Sequence, residues 1–184
     1  MEHKLLARFV PRFADARILV IGDLMLDHYL VGSVDRISPE APVPVVLVQE
    51  ERDMPGGAAN VAGFLRAFGA TVLPCGLVGV DSGATMLLQH FTQRGIECGA
   101  IIRRGDRPTT MKTRVVAARQ QVVRIDREDT RPLGPEILAE IRRAFDGVLD
   151  SGVDGVILSD YGKGLLVPEI IEYVIARCRA AGVR

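Results

Sequence analysis

The feature that most constrains the fold of this chain is the alternation of short apolar runs with amphipathic segments. Residues 17–23 read RILVIGD and residues 71–79 read TVLPCGLVG, and both are nearly continuous apolar runs. Runs of this length and character are typical of strands that are buried on both faces, as in parallel sheets. Strands that alternate with helices predict an α/β fold with a mainly parallel sheet and helices on both of its faces.

The helices are predicted from apolar spacing and capping residues. The first is expected in GAANVAGFLRAFG, which ends at Gly69 and whose larger apolar side chains recur every three or four residues: Val61, Phe64, Leu65 and Phe68. The other elements are a lead-in helix at 3–14, a helix at 83–94 capped by Asp81 or Ser82, a helix at 135–149, a strand at 152–160 and a helix at 168–181.

Two stretches interrupt this alternation. Residues 25–54 have β-rich flanks around a proline-rich turn, and residues 109–129 alternate in polarity around a turn near Arg119. Neither stretch has a helical period. We expect the two segments to form a small β layer that protrudes from the core, either as a lid over a site or as a dimer contact. The core is then expected to comprise residues 1–24, 55–108 and 130–184.

Composition argues against several classes of partner. The formal net charge is zero and the pI is about 6.8, so bulk electrostatics favours neither nucleic acid nor an anionic membrane surface. Three scattered cysteines favour reduced thiols over disulfides or a zinc site, and the three histidines share no metal-ligand spacing. No apolar run approaches the roughly 20 residues of a membrane span, and the start lacks the features of a signal peptide. We therefore expect a cytoplasmic protein without a metal site.

Asn60 follows two adjacent glycines at the start of the first predicted helix. Gly56 and Gly57 have no Cβ, so a ligand oxygen can approach the unpaired N–H groups at that helix start. The amide of Asn60 can both donate and accept, as binding to a sugar hydroxyl requires. The same pattern fits a loosened helix start with a solvated asparagine, and the residues alone leave both interpretations open.

A family resemblance bears on that choice. The first signature of the ribokinase-like (PfkB) sugar kinases is matched at every fixed position by a set of small and polar residues: Gly56, Gly57, Asn60, Gly69 and Gly79. The stretch GDLMLDHY, residues 22–29, is similar to the family's first strand and to the substrate-binding aspartate after it, which falls on Asp27. The resemblance implies a ribokinase-like fold with a β lid, and sugar hydroxyls held by Asp27 and Asn60.

Within that family, four stretches are similar to the kinases that phosphorylate the C1 hydroxyl of D-glycero-β-D-manno-heptose 7-phosphate on the route to ADP-heptose and lipopolysaccharide core: residues 35–46, 54–62, 119–126 and 158–164. This resemblance implies a sugar-phosphate substrate, with ATP and Mg²⁺ as cofactors. A phosphate needs cations, and Arg119 and Lys163 are the expected contacts. Lys112 and Arg114 are further candidates, because residues two apart on a strand share a face. Each of these four cations can equally be an ordinary solvated side chain with no role in binding.

The family's Gly-Ala-Gly-Asp loop, which supplies the general base and holds the nucleotide, does not occur in this sequence. The general-base aspartate is therefore expected C-terminal to Arg184. We expect the sugar-binding, N-terminal portion of one kinase domain, truncated C-terminally, without a catalytic base and inactive by itself. A homodimer paired through the lid is also expected. Two alternatives stay open: a ribokinase-like kinase of another sugar or nucleoside, and a non-catalytic module for sugar-phosphate binding or dimerisation.

Overall fold

The computed structural model describes residues 10–184, so most of the helix expected at 3–14 lies outside the described residues. After a short 3₁₀ helix (Val10–Asp15), the elements in chain order are β1 (Arg17–Gly22), β2 (Leu24–Ile37), β3 (Pro44–Gly57), α1 (Ala58–Ala67), β4 (Thr71–Gly79), α2 (Ser82–Gln93), β5 (Ile101–Arg104), β6 (Thr110–Ala117), β7 (Gln120–Arg127), α3 (Pro135–Asp150), β8 (Gly155–Ser159) and α4 (Pro168–Ala181).

The core of the molecule is a four-stranded parallel sheet in the order β5-β4-β1-β8. Successive side chains of the central strand β1 point to opposite faces. Val20 belongs to the apolar cluster beneath α1 and α2, whereas Leu19 and Ile21 belong to the cluster beneath α3 and α4. All three are fully buried. The predicted arrangement, a parallel sheet with helices on both faces, is confirmed.

The second sheet has the order β3-β2-β6-β7 and is called the lid here. Strand β2 pairs antiparallel with β3 and parallel with β6, and β6 and β7 form an antiparallel hairpin. The hairpin turn consists of Ala118 and Arg119, with φ of +47° and +66°, as in the two-residue turns that match strand twist. A single residue, Asp23, separates β1 from β2, and β3 runs directly into α1. The lid is therefore attached at the carboxyl edge of the core sheet.

The buried face of α1 includes two of the four apolar residues that indicated the helix, since Val61 and Leu65 pack against the core cluster. The fully buried residues are Ala58, Ala59 and Ala62, whereas Phe64 is 60% exposed and Phe68 is 55% exposed. Small side chains let the helix backbone approach β3 and β4 closely, and a phenylalanine at those positions would hold it away. The predicted helix is confirmed, and Phe64 and Phe68 are exposed because burial on this helix depends on the space available as well as on hydrophobicity.

Other local predictions are confirmed or extended. Helix α2 is capped as expected, because the Asp81 carboxylate accepts a hydrogen bond from the Ala84 N–H at 2.9 Å. Strand β5 was not predicted, since it has only four residues and half of them are arginine. Within residues 10–184, no helix combines the length and the apolar character needed to cross a lipid bilayer.

The packing of α1 gives a direct test. We expect Ala62→Leu to lower the free energy of unfolding by about 1–3 kcal/mol, because the added methylenes have no room against the sheet. The matched change on the opposite face, Phe64→Ser, should alter stability by no more than about 0.5 kcal/mol. Urea denaturation of the two variants measures both values. A larger loss for Phe64→Ser than for Ala62→Leu would contradict the packing of α1 through its alanines.

Candidate functional site

Asp23 organises the carboxyl edge of the core sheet. It is 4% exposed, and its carboxylate accepts three backbone hydrogen bonds from the loop after β8. Oδ2 accepts from the N–H groups of Tyr161 at 2.9 Å and Lys163 at 3.1 Å, and Oδ1 accepts from that of Leu165 at 3.2 Å. A buried carboxylate thus fixes the backbone of the loop that carries Lys163.

The backbone of Asp23 connects two further elements. Its N–H donates to the Ser159 carbonyl at the end of β8, at 3.2 Å, and its carbonyl accepts from the Ala58 N–H at the start of α1, at 3.0 Å. Sequence reasoning missed this residue and selected Asp27 from the same stretch. The signal that was available is an aspartate directly after a buried strand, where polar groups meet at the carboxyl edge of a parallel sheet.

Asp27, Gly56 and Arg114 lie together on one face of the lid. The Asp27 carboxylate forms a hydrogen-bonded ion pair with the Arg114 guanidinium, and both side chains are about one-fifth exposed. A Cβ on Gly56 would lie 2.6 Å from Asp27 Oδ2, so only glycine leaves room for the carboxylate there. Burial by itself would lower the pKa of Arg114, but the hydrogen bond and charge of Asp27 raise it above the ordinary value. Arg114 thus holds Asp27 as an oriented acceptor.

Gly57 and Asn60 mark the transition from the lid to α1. Gly57 has φ of +53°, and a Cβ there would lie 2.6 Å from the Asp23 carbonyl oxygen, so this position requires glycine on two grounds. Asn60 is the third residue of α1 and is exposed. No other group among residues 10–184 is hydrogen-bonded to the side-chain amide of Asn60. The oxygen and the nitrogen of that side chain are therefore both available to a ligand.

Lys112 and Lys163 converge on neighbouring carboxylates. Lys112 is the register partner of Asp27 on the adjacent strand, and its Nζ lies 3.1 Å from Asp126 Oδ2. Lys163 Nζ donates to Glu128 Oε1 at 3.0 Å, and this hydrogen bond raises the pKa of Lys163. The three cations Lys112, Arg114 and Lys163 are therefore paired with carboxylates rather than freely solvated.

Arg119 lies far from the other predicted substrate-binding residues of the same chain. It lies exposed at the hairpin tip, seven residues along the strand from Lys112, or roughly 20 Å at the rise of a β-strand. The other predicted residues of the lid, Asp27, Lys112 and Arg114, lie near its base. Within a single chain, Arg119 therefore has no contact with this cluster.

The general base is expected from the sequence to lie C-terminal to Arg184. Arg184 itself follows α4 and reaches the core sheet, where its carbonyl accepts a hydrogen bond from the Val156 N–H of β8 at 2.7 Å. This is the side of β8 that faces away from β1. The backbone at Arg184 thus lies against the outer strand of the core sheet and away from the lid. The position of the base C-terminal to Arg184 stays a prediction, and no residue in 10–184 is assigned that role.

Two remaining polar residues have local partners. His28, on the opposite face of β2 from Asp27, has its Nδ1 2.6 Å from Asp53 Oδ1. Asp160 accepts a hydrogen bond from the Gly162 N–H at 2.8 Å and so stabilises its own loop. No cluster of three histidine, cysteine, aspartate or glutamate side chains in residues 10–184 has the geometry to hold a metal ion.

Comparison with known proteins identifies the family. The model of the pfkB family carbohydrate kinases matches residues 15–146, a span that contains the whole lid and most of the core. The chain belongs to the pfkB family of carbohydrate kinases. The matched span contains Gly56, Gly57 and Asn60, and the resemblance drawn from these residues is confirmed at the level of the family.

Individual proteins with similar sequences were also found. The chain is 45% identical over 185 aligned positions to a protein named bifunctional protein HldE from Pelobacter propionicus, covering 100% of this chain and 37% of that protein. It is 48% identical to the protein of the same name from Helicobacter hepaticus, covering 86% and 33%. The chain therefore spans about a third of the length of these curated relatives.

Solved structures agree with the family fold. A carbohydrate kinase from Agrobacterium tumefaciens superimposes with a TM-score of 0.67 at 17% identity, covering 91% of this chain and 52% of that one. At this identity the likeness concerns the fold alone. The predicted ribokinase-like α/β fold with a small β lid is thereby confirmed for this pfkB family member.

The role of Asp23 can be tested by removing its charge. Asp23→Asn leaves at least one of three backbone N–H groups without an acceptor, since the amide nitrogen of asparagine cannot accept. We expect the free energy of unfolding to fall by about 2–4 kcal/mol, as measured by urea denaturation. The control is Asp160→Asn, an exposed carboxylate with a single backbone donor, which should cost no more than about 1 kcal/mol. Equal losses in the two variants would contradict a special role for Asp23.

Proposed function

We propose that this chain supplies the sugar-binding part and the lid of an ATP-dependent kinase that phosphorylates the C1 hydroxyl of D-glycero-β-D-manno-heptose 7-phosphate, giving the 1,7-bisphosphate for ADP-heptose and lipopolysaccharide core synthesis. The observation that carries the proposal is the continuous set of polar side chains from Asp27 through Lys112 to Lys163. It combines an acceptor for hydroxyl groups with cations suited to a phosphate. The HldE relatives support the choice of a heptose pathway.

The proposed roles follow from the chemistry of each group. Asp27, fixed by Arg114, accepts hydrogen bonds from sugar hydroxyls, and the amide of Asn60 both donates and accepts. Gly56 and Gly57 allow close approach of the ligand to the backbone. Lys163 binds the 7-phosphate, with Lys112 beside it, because charge-assisted hydrogen bonds to phosphate are stronger than neutral ones.

The remaining parts of the proposal come from the family. ATP and Mg²⁺ are cofactors by resemblance. The general base is proposed to belong to a Gly-Ala-Gly-Asp loop C-terminal to Arg184, since residues 1–184 do not contain that loop. A kinase that depends on ATP would work in the cytoplasm. We assign no catalytic residue to this chain, whose contribution is to bind and orient the acceptor sugar.

A homodimer paired through the lid is part of the same proposal. The outer strand β7 is exposed along its whole length, and an unpaired edge strand with apolar side chains favours association. The large exposed apolar residues of the lid support this: Ile37, Val43, Leu47, Met54, Val123 and Ile125. Arg119, at the tip of the hairpin, is proposed to contact the 7-phosphate only from the lid of a partner.

The experiment compares kinetics with and without the proposed phosphate contact, in the full-length protein that contains this chain. We expect Lys163→Ala to raise the KM for heptose 7-phosphate about tenfold or more, since a lost charged hydrogen bond costs about 1.5–3 kcal/mol. The KM for ATP should stay unchanged. The control is Arg179→Ala, which removes an exposed cation on α4 far from the lid.

The same assay separates the alternatives. A kinase for an unphosphorylated sugar or nucleoside would phosphorylate that compound with a KM that Lys163→Ala hardly alters. A non-catalytic module would bind heptose 7-phosphate, by calorimetry, without forming ADP. Either result would contradict the proposed function.

A further inference from the structure

Glu128 lies at the junction of the lid and the core, immediately after β7. Its Oε1 accepts a hydrogen bond from Lys163 Nζ at 3.0 Å. Its Oε2 lies 2.9 Å from the same nitrogen and 3.7 Å from Lys112 Nζ. Since Lys163 belongs to the loop after β8 and Lys112 to β6, one carboxylate joins the core loop to the lid through two cations.

One oxygen of the Glu128 carboxylate has no aligned hydrogen-bond donor in the part of the chain that the structure describes. Glu128 Oε2 is buried, yet no donor among residues 10–184 is aligned to form a hydrogen bond with it. The side chains of Lys112 and Lys163 are 14% and 19% exposed and that of Glu128 is 27% exposed, so water reaches this group of charges only in part. A buried acceptor without an aligned donor is unfavourable. The two ammonium groups thus lie on either side of Glu128, which pairs closely with Lys163 and only loosely with Lys112, whose nearer partner is Asp126 at 3.1 Å.

We propose that the Glu128 carboxylate occupies, in the unliganded protein, the position of the substrate's phosphate between Lys112 and Lys163, and that the phosphate displaces it. The identity of the phosphorylated ligand rests on the proposed function. A phosphate has about twice the charge of a carboxylate and three acceptor oxygens, so it can bond to both ammonium groups at once. Glu128 then faces a like charge and leaves.

The exchange has a consequence for binding. While Glu128 is in place, it pairs with both lysines and holds the lid against the loop. When the phosphate binds, it contacts both Lys112 of the lid and Lys163 of the loop, and so replaces Glu128 as the connection between them. Glu128 therefore competes with the ligand, lowers its affinity, and favours release of a product that keeps the same phosphate. A sugar without phosphate leaves the Glu128 ion pair intact.

The test is calorimetry on the full-length protein with two probes, heptose 7-phosphate and inorganic phosphate. Glu128→Gln removes the competing charge and keeps the shape, so we expect the Kd of each probe to fall about three- to tenfold, the size of a partly exposed charge interaction. The matched control is Glu140→Gln, a carboxylate on α3 that is 34% exposed and pairs with Arg104 at 3.0 Å. It should leave both Kd values unchanged.

Wild-type protein gives a measurement that does not depend on a variant. Titration with inorganic phosphate should shift the carboxyl ¹³C resonance of Glu128 and leave that of Glu140 in place. Glu128→Ala, if Glu128→Gln proves unstable, should tighten phosphate binding in the same direction.

The outcomes separate the two proposals. If Glu128→Gln weakens binding or leaves it unchanged, Glu128 supports the site instead of competing for it, and the inference is overturned. If the wild-type protein does not bind heptose 7-phosphate while Glu128→Gln tightens the binding of inorganic phosphate, the inference is supported and the proposed function is contradicted. A phosphate titration that does not move the Glu128 resonance also overturns the inference.

Discussion

The hydrogen bonds of Asp23 are the constraint on which the rest of the site depends. This one buried residue separates the core sheet from the lid, and its carboxylate fixes three backbone amides of the loop that carries Lys163. Its backbone holds the end of β8 and the start of α1. The lid is attached through Asp23 on one side and Gly57 on the other. The positions of the lid strands β2 and β3 and of the loop that carries Lys163 therefore depend on the same residue.

The cations of the site are paired with carboxylates before any ligand binds. Lys112, Arg114 and Lys163 each have such a partner, and those partners are Asp126, Asp27 and Glu128. The site is thus nearly neutral although it is rich in charge. Charges that are already paired are oriented before a ligand arrives, which lowers the entropic cost of binding. In the exchange proposed for Glu128, a bound phosphate replaces one of these carboxylates, and the affinity then depends on the cost of breaking that ion pair.

Much of the fold follows from local sequence patterns, and the differences have physical reasons. Buried strands and capped helices are encoded by neighbouring residues, so β1, β4 and the Asp81 cap of α2 were predicted. Apolar spacing located α1 but did not indicate that Phe64 and Phe68 are exposed, because the approach of the helix depends on the small volume of Ala59 and Ala62. The pair of Asp27 with Arg114 joins residues 87 positions apart, and no local pattern reveals such a contact.

The most direct test of this account is a crystal structure of the full-length protein with heptose 7-phosphate bound. The account predicts the sugar hydroxyls within hydrogen-bond distance of Asp27 and Asn60, and the phosphate within hydrogen-bond distance of Lys163. A sugar phosphate bound away from the lid face, with its phosphate out of contact with Lys163, would contradict it.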